Sequence, residues 1–440
     1  MRARSVLLFL LPALLPAQGW KAGVAREKIT PEEPIRMAGY GSRNHPSEGV
    51  AQDLWAKALA LEDPNGRRAV IVTTDLIGLT RAISEPVAAR VHSAAHISRE
   101  RLLLTSSHTH AGPTIGRSLP IMYEMTNQER AVVSRYTVRL QDSLVSVVLA
   151  ALDDLAPANI SYRVGSAGFV MNRREKTPDG VKLGVNPGGP VDRDVPVLRV
   201  LAPDRKLRAV LFSYACHNTT LGGDMYRLHG DYAGAAQTEL EKAHPGAAAL
   251  FMIGTGADAN PEPRGDMAAV EKNGQELAEA VSKALQQDGR PVRGRLGAEF
   301  VRFAIPLAPA PSREEFERRL NDENRFIRRH AAWFLEHPAP SEYEFPLQSL
   351  RLGEATTIVA FGGETVVAYG IAAKKAIGAD RTWPVAYAND VFAYIPTAKI
   401  IEEGGYEADR SQIYYGMPGP WAPEIEETIL DRILAIAAAP

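Results

Sequence analysis

The chain has 440 residues, 45% of them hydrophobic and 23% charged, which is ordinary globular composition. A formal net charge of −2, with Lys and Arg scattered along the sequence, argues against a nucleic-acid surface or a polybasic membrane anchor. Cys216 is the only cysteine, so no intrachain disulfide holds the fold and the core must do so.

The first residues read as a secretory signal peptide. Arg2 and Arg4 supply positive charge, Val6 to Leu11 form an apolar run, and small residues follow near Ala17. Residues 1–17 are assigned to that peptide, the mature chain is expected to begin near Gln18, and the location is expected to be secreted or periplasmic. No later segment reaches the ~18 unbroken apolar residues of a spanning helix.

Residues 69–74 form a strand pattern closed by Asp75, and 84–96 carry a helical stripe of Val87, Val91 and Ala95. A second buried strand is expected over 102–105, so strand, helix and strand make a parallel crossover. A long helix is expected over 128–152. Strands follow at 160–164, 195–201, 209–215 and 248–253, with helices at 232–242 and 270–286. After Pro291 the expected elements are a strand at 296–305, one charged helix over 313–334, strands at 357–361 and 385–389, and a last helix over 423–436. No internal repeat shows. The Pro-rich stretch 306–311 is the one candidate boundary, and a single large α/β domain with a mixed or parallel sheet accounts for the pattern.

The chemistry gathers where strands end. His108 and His110 follow the strand at 102–105 and precede Ala111-Gly112-Pro113. Residues i and i+2 of an extended segment share a face, so both imidazoles can approach one point. Two imidazoles make a partial metal site, or a hydrogen-bonded pair in a turn. The strand at 209–215 then delivers Cys216-His217-Asn218-Thr219-Thr220, and His229-Gly230-Asp231 opens a helix. Three histidine clusters favour the metal. Cys216 alternates away from His217 and is read as a buried spectator thiol.

Ser107-His108-Thr109-His110-Ala111-Gly112-Pro113 resembles the T-H-T-H-S-G-P motif of neutral (non-lysosomal) ceramidases. Met37-Ala38-Gly39-Tyr40, Asn172-Arg173 and Val191-Asp192-Arg193-Asp194-Val195 resemble further segments of that family, in order. So do His217 to Thr220 with Gly230-Asp231, then Gly363-Glu364, Tyr394-Ile395-Pro396-Thr397 and Tyr406-Glu407. The ordered match runs over roughly residues 22–410.

The resemblance implies a zinc hydrolase domain over 18–440, with His108, His217, Glu364 and Tyr394 binding one Zn2+ per chain. Two imidazoles, a carboxylate and a phenol suit that metal. Taken alone, Glu364 would be a helix-start acid and Tyr394 a core aromatic. The implied reaction is cleavage of an amide bond in ceramide or a ceramide-like N-acyl compound by zinc-activated water. His110 is expected to act as general acid and base, and Arg173 and Tyr406 to donate to the developing oxyanion. A small-molecule or lipid N-acyl substrate follows, with peripheral contact at a lipid surface as the one membrane interaction left open.

Two features depart from the family. Its G-D-x-S-P-N segment carries an active-site serine, whereas this chain reads Gly254-Thr255-Gly256-Ala257-Asp258-Ala259-Asn260-Pro261, with Ala259 nearest that serine. A lost hydroxyl removes a contact that could select a hydroxyl-bearing sphingoid base. Asp258 and Asn260 then line the pocket or serve as turn residues. The family's C-terminal immunoglobulin-like domain is also expected to be lacking, since Pro440 closes the sequence.

Two rival readings share these residues. A binuclear amidohydrolase on a β/α barrel also uses H-x-H, but on its first strand, whereas here the pair follows the second predicted strand. A catalytically silent binding protein on the same scaffold is the other. Metal content separates them: one zinc, two metals or none.

Overall fold

The computed structural model describes residues 19–438. The signal peptide assigned to 1–17 and the expected mature start at Gln18 lie outside the described residues.

Three large open mixed sheets, with three two-stranded ones beside them, make up the described residues, and each large sheet repeats one topology. In the first, Lys21–Lys28, Trp55–Glu62 and Arg68–Thr74 run antiparallel, and helix Arg81–Ala95 crosses over to a parallel fourth strand, Leu102–Ser106. The second repeats this with Asn159–Ser166, Asp194–Leu201 and Leu207–Tyr214, then helix Asp231–Ala243 and parallel strand Ala248–Ile253. The third uses Leu296–Pro306, Glu342–Leu352 and Thr356–Phe361, then helix Val367–Ile377 and parallel strand Thr382–Val385. A later helix packs beside each crossover helix: Asn127–Asp153, Met267–Gln286 and Ile425–Ala438 in turn.

The strand sequences explain why the sheets meet. Alternate side chains divide between two faces. Leu59, Ile71 and Leu103 of the first sheet join Leu198, Leu211 and Leu250 of the second, and Leu350, Ile358 and Trp383 of the third, in one central core. The alternate set packs outward under each sheet's own helices, such as Val70 and Leu104, Val197 and Phe212, and Val359 and Phe361. Both faces are therefore buried, and the strands read as continuous apolar runs.

The single-domain α/β expectation holds, with three sheets in place of one. Several element expectations change. A repeat exists in topology although none shows in the sequence. The charged helix over 313–334 is two helices, Arg313–Arg319 and Arg325–Glu336, because Asn324 accepts from the backbone N–H of Phe326 and starts the second. The strand expected at 385–389 ends at Val385; Tyr387 and Asn389 beyond it have positive φ, which breaks extended geometry. The Pro-rich stretch 306–311 is no boundary, since the Leu307 and Ala308 amides bond to Ser341 and Pro420 across the third unit. No closed barrel forms among the described residues, which removes the β/α-barrel alternative.

Candidate metal centre

Each sheet sends its third or fourth strand to the same end of the molecule, and the loops there meet. The first sheet's fourth strand ends at Ser106 and delivers His108 and His110. The second sheet's third strand ends at Tyr214 and delivers His217. The third sheet's third strand ends at Phe361. Past the Gly362-Gly363 turn, Glu364–Thr365 pairs in parallel with Tyr394–Ile395, so that Glu364 stands directly beside Tyr394.

The donor atoms converge. Nε2 of His108 lies 3.2 Å, and Nε2 of His217 3.0 Å, from Oε2 of Glu364. The Tyr394 hydroxyl is 3.1 Å from His217 Nε2, and His110 Nε2 is 3.1 Å from His108 Nε2. Four ligands at zinc bond lengths of about 2.0–2.1 Å stand roughly 3.3 Å apart, so this spacing fits the ion. The donor chemistry fits too. His108 Nδ1 is held by the Ile77 carbonyl and His217 Nδ1 by that of Gly256, which leaves both Nε2 lone pairs facing the carboxylate. A cation placed among these buried acceptors would relieve their mutual repulsion, so the donor set suits a metal ion.

Electrostatics point the same way. Burial, with Arg173 nearby, pushes His217 down to about 3, so its imidazole is neutral as a ligand must be. Burial alone would raise Glu364, but His108 and His217 pull it well below the usual carboxylate range. Tyr387 and Tyr415 both donate to Glu364, one to each carboxylate oxygen.

The shell behind these groups is charged and satisfied. Arg173 donates from Nη2 to the Tyr394 hydroxyl at 3.0 Å, from Nε to Glu407 at 2.8 Å and from Nη1 to Asn260 at 3.3 Å. Glu407 also pairs with Arg174 at 2.8 Å, all three being buried. A cavity of about 350 Å³ opens over the centre, lined by His110, Arg173, Tyr394 and Tyr406, with Leu183 and Val185 exposed at its lip.

The seven residues expected from the sequence thus meet at one place: His108, His217, Glu364 and Tyr394 as donors, with His110, Arg173 and Tyr406 on the cavity wall. His110 is closer to a ligand than expected, since its ring donor and those of His108 and His217 all lie within 4.8 Å of one another. Strand alternation does not cause that convergence. His108 adopts φ +60, so a left-handed residue turns the two rings together. Gly39 permits it, because a Cβ there would come within 2.4 Å of His110 Nδ1.

Other expectations move. His229 stands apart from the centre, its Nδ1 accepting from the Asp231 amide in a loop that precedes a helix. Cys216 is a fully buried core thiol, as read. Ala259 is buried and its carbonyl accepts from the His217 amide, so it supports the loop from behind. Asn260 lines the cavity, whereas Asp258 sits behind it, bonded to the Val367 amide. Tyr387 and Tyr415 carry no spacing signal and were found only by the fold; Glu407, part of the Tyr406-Glu407 resemblance, gains its role from the fold, which pairs it with Arg173 and Arg174.

Comparison with known proteins follows the same lines. Residues 20–267, over half of the chain, match the family described as neutral/alkaline non-lysosomal ceramidase, N-terminal. The chain belongs to this family. Among its relatives, the neutral ceramidase of Pseudomonas aeruginosa is 27% identical over 249 residues, covering 54% of this chain and 36% of the relative. Neutral ceramidase B of Dictyostelium discoideum is 25% identical over 252 residues, covering 52% and 34%. The match thus spans about a third of each relative's length. The crystal structure of the Pseudomonas aeruginosa neutral ceramidase superposes with a TM-score of 0.75 at 20% identity, covering 96% of this chain and 74% of that one. The ceramidase fold therefore extends past the sequence match, to the third sheet and the two-stranded pair beside it that carries Glu364 and Tyr394.

Proposed function

We propose that this chain is an exported, zinc-dependent amide hydrolase that cleaves ceramide or a ceramide-like N-acyl compound. One observation carries the reading. Loops that follow strands of three sheets bring two imidazoles, a carboxylate and a phenol into contacts of 3.0–3.2 Å, with the phenol of Tyr394 lining a cavity. His108, His217, Glu364 and Tyr394 would hold the metal. Zinc bound there supplies a water whose pKa is lowered to about 7.

In the overall reaction, water adds to the amide carbonyl carbon, the C–N bond breaks and the nitrogen gains a proton. A carboxylic acid and a free amine leave. His110 is the one histidine of the three that lines the cavity, and burial with His108 and His217 beside it keeps it neutral and able to accept a proton. It takes the proton of water and returns it to the departing nitrogen. Arg173 commits three of its five N–H groups to Glu407, Asn260 and Tyr394, so two remain for the carbonyl oxygen as charge develops there. The Tyr406 hydroxyl has no hydrogen-bond partner among the described residues and is the second donor. Leu183 and Val185, half exposed at the lip, receive the acyl chain and touch the lipid surface that supplies it.

The test is hydrolysis of an N-acyl panel, ceramides included, by zinc-loaded protein with and without chelator. Release of fatty acid that chelation abolishes and zinc restores supports the reading; turnover indifferent to chelation overturns it.

A further inference from the structure

One wall of the cavity, residues 260–265, carries two charges that the metal centre does not use. The backbone there is fixed. The Glu262 amide donates to the Phe169 carbonyl at 2.8 Å, the Gly265 amide to that of Thr220 at 2.7 Å, and the Pro263 carbonyl accepts from Asn273 Nδ2 at 2.8 Å. The side chains are not fixed. Glu262 and Arg264 both line the cavity, yet among the described residues neither forms an ion pair, with each other or with anything else. Arg264 stands near the Tyr40 hydroxyl, which itself donates to the Leu221 carbonyl at 2.6 Å.

Arg173, the other cation of this cavity, is by contrast paired, with Glu407, which it shares with Arg174. Beside the two free charges, Asn260 has its Oδ1 committed to Arg173 at 3.3 Å and to Thr219 at 3.2 Å, which leaves its Nδ2 protons unspent at the same wall. A rigid loop that presents an unpaired guanidinium, an unpaired carboxylate and a free amide donor is organised for a charged ligand group.

We propose that Arg264 receives a carboxylate on the amine half of the substrate, so that the preferred substrates are N-acyl amino acids. This rests on the amide-hydrolase reading. A guanidinium matches a carboxylate with two parallel charge-assisted hydrogen bonds, and a single arginine balances that single charge. Glu262 beside it repels a doubly charged phosphate and accepts a cationic side chain, so amino acids of the lysine type fit better than acidic ones. Water then releases the fatty acid from one side and the free amino acid from the other.

The experiment compares N-dodecanoylglycine, N-dodecanoyl-lysine acylated at Nα, N-dodecanoylethanolamine and N-dodecanoylsphingosine on the zinc-loaded full chain. Both kcat/KM and equilibrium binding are measured, in wild type, Arg264→Gln and Glu262→Gln. The glycine compound should exceed the ethanolamide by about ten- to a hundredfold in both readouts, and Arg264→Gln should collapse that ratio toward one. Glu262→Gln should erase the advantage of lysine over glycine. Arg264 is exposed, so the variant's fold is not at stake. Hydrolysis without a carboxylate preference, or a preference unmoved in Arg264→Gln, overturns this inference and leaves the hydrolase reading standing. Carboxylate-selective binding that depends on Arg264, with no compound cleaved, supports the charged-group site and overturns the hydrolase reading instead.

Discussion

The first two sheets and the third contribute to the same centre in different ways. The first two supply nitrogen donors on loops, and backbone carbonyls of Ile77 and Gly256 orient His108 and His217. The third, through the strand pair Glu364–Thr365 and Tyr394–Ile395 that follows it, presents oxygen donors oriented by side chains: Tyr387 and Tyr415 on Glu364, and Arg173 on Tyr394. A backbone carbonyl is an inflexible partner that survives most substitutions. A side-chain partner can be removed alone. The oxygen half is therefore the half that single changes can tune, and the nitrogen half is the half whose failure needs loss of a ligand itself.

The largest effect separates the two halves by deleting a donor. His217→Ala should lose zinc binding altogether, measured by metal analysis after dialysis against buffered zinc, while the melting curve shows a folded chain. Retained metal would break the nitrogen half of the comparison.

Next comes the charged shell of the oxygen half. Glu407→Ala leaves Arg173 and Arg174 buried without a carboxylate between them and should destabilise the fold by about 3–5 kcal/mol in denaturant unfolding. A loss below about 1 kcal/mol would show that the shell is solvated and that Tyr394 is not held by it.

Asp258 sharpens the comparison through pH. Burial raises its carboxyl to about 6, above the usual value near 3.9, so the folded state favours the protonated form. The sign follows: this contribution to stability is complete below pH ~4 and is lost as pH rises through about 6. Relative to Asp258→Asn, wild type should lose about 2–3 kcal/mol between pH 4 and 7. Parallel stability profiles for the two proteins would refute the assignment.

The smallest change is the most specific. Tyr415→Phe removes one hydrogen bond to Glu364 and should weaken zinc affinity by about ten- to a hundredfold, with the melting temperature little changed. Unaltered affinity in a zinc-competition titration would place Tyr415 outside the metal's support.

What could be read in the sequence follows the same division. Histidine is rare and its clusters at strand ends stand out, so His108, His110 and His217 were visible from residue type and position. Glu364 and Tyr394 are ordinary residues in ordinary contexts, and only the ordered resemblance promoted them. Tyr387 and Tyr415 left no trace, and Glu407 showed only as the neighbour of Tyr406, because their partners lie across sequence separations that periodicity does not register. The strands were largely legible since both faces are apolar, and for the same reason the threefold topology was not. Any apolar run satisfies a strand buried on two sides, so the three units share a pattern without sharing residues. Boundaries failed where local backbone chemistry ruled, as at Asn324 and at Tyr387.

The central claim is that the strand-end loops of three sheets together build one zinc site. Metal content of the purified, zinc-equilibrated chain tests it most directly, with His108→Ala, His217→Ala and Glu364→Ala beside wild type. The proposed site predicts about one zinc per wild-type chain and loss from all three variants, so that no two sheets suffice without the third. Two metals per chain, none, or a full complement in Glu364→Ala would contradict it.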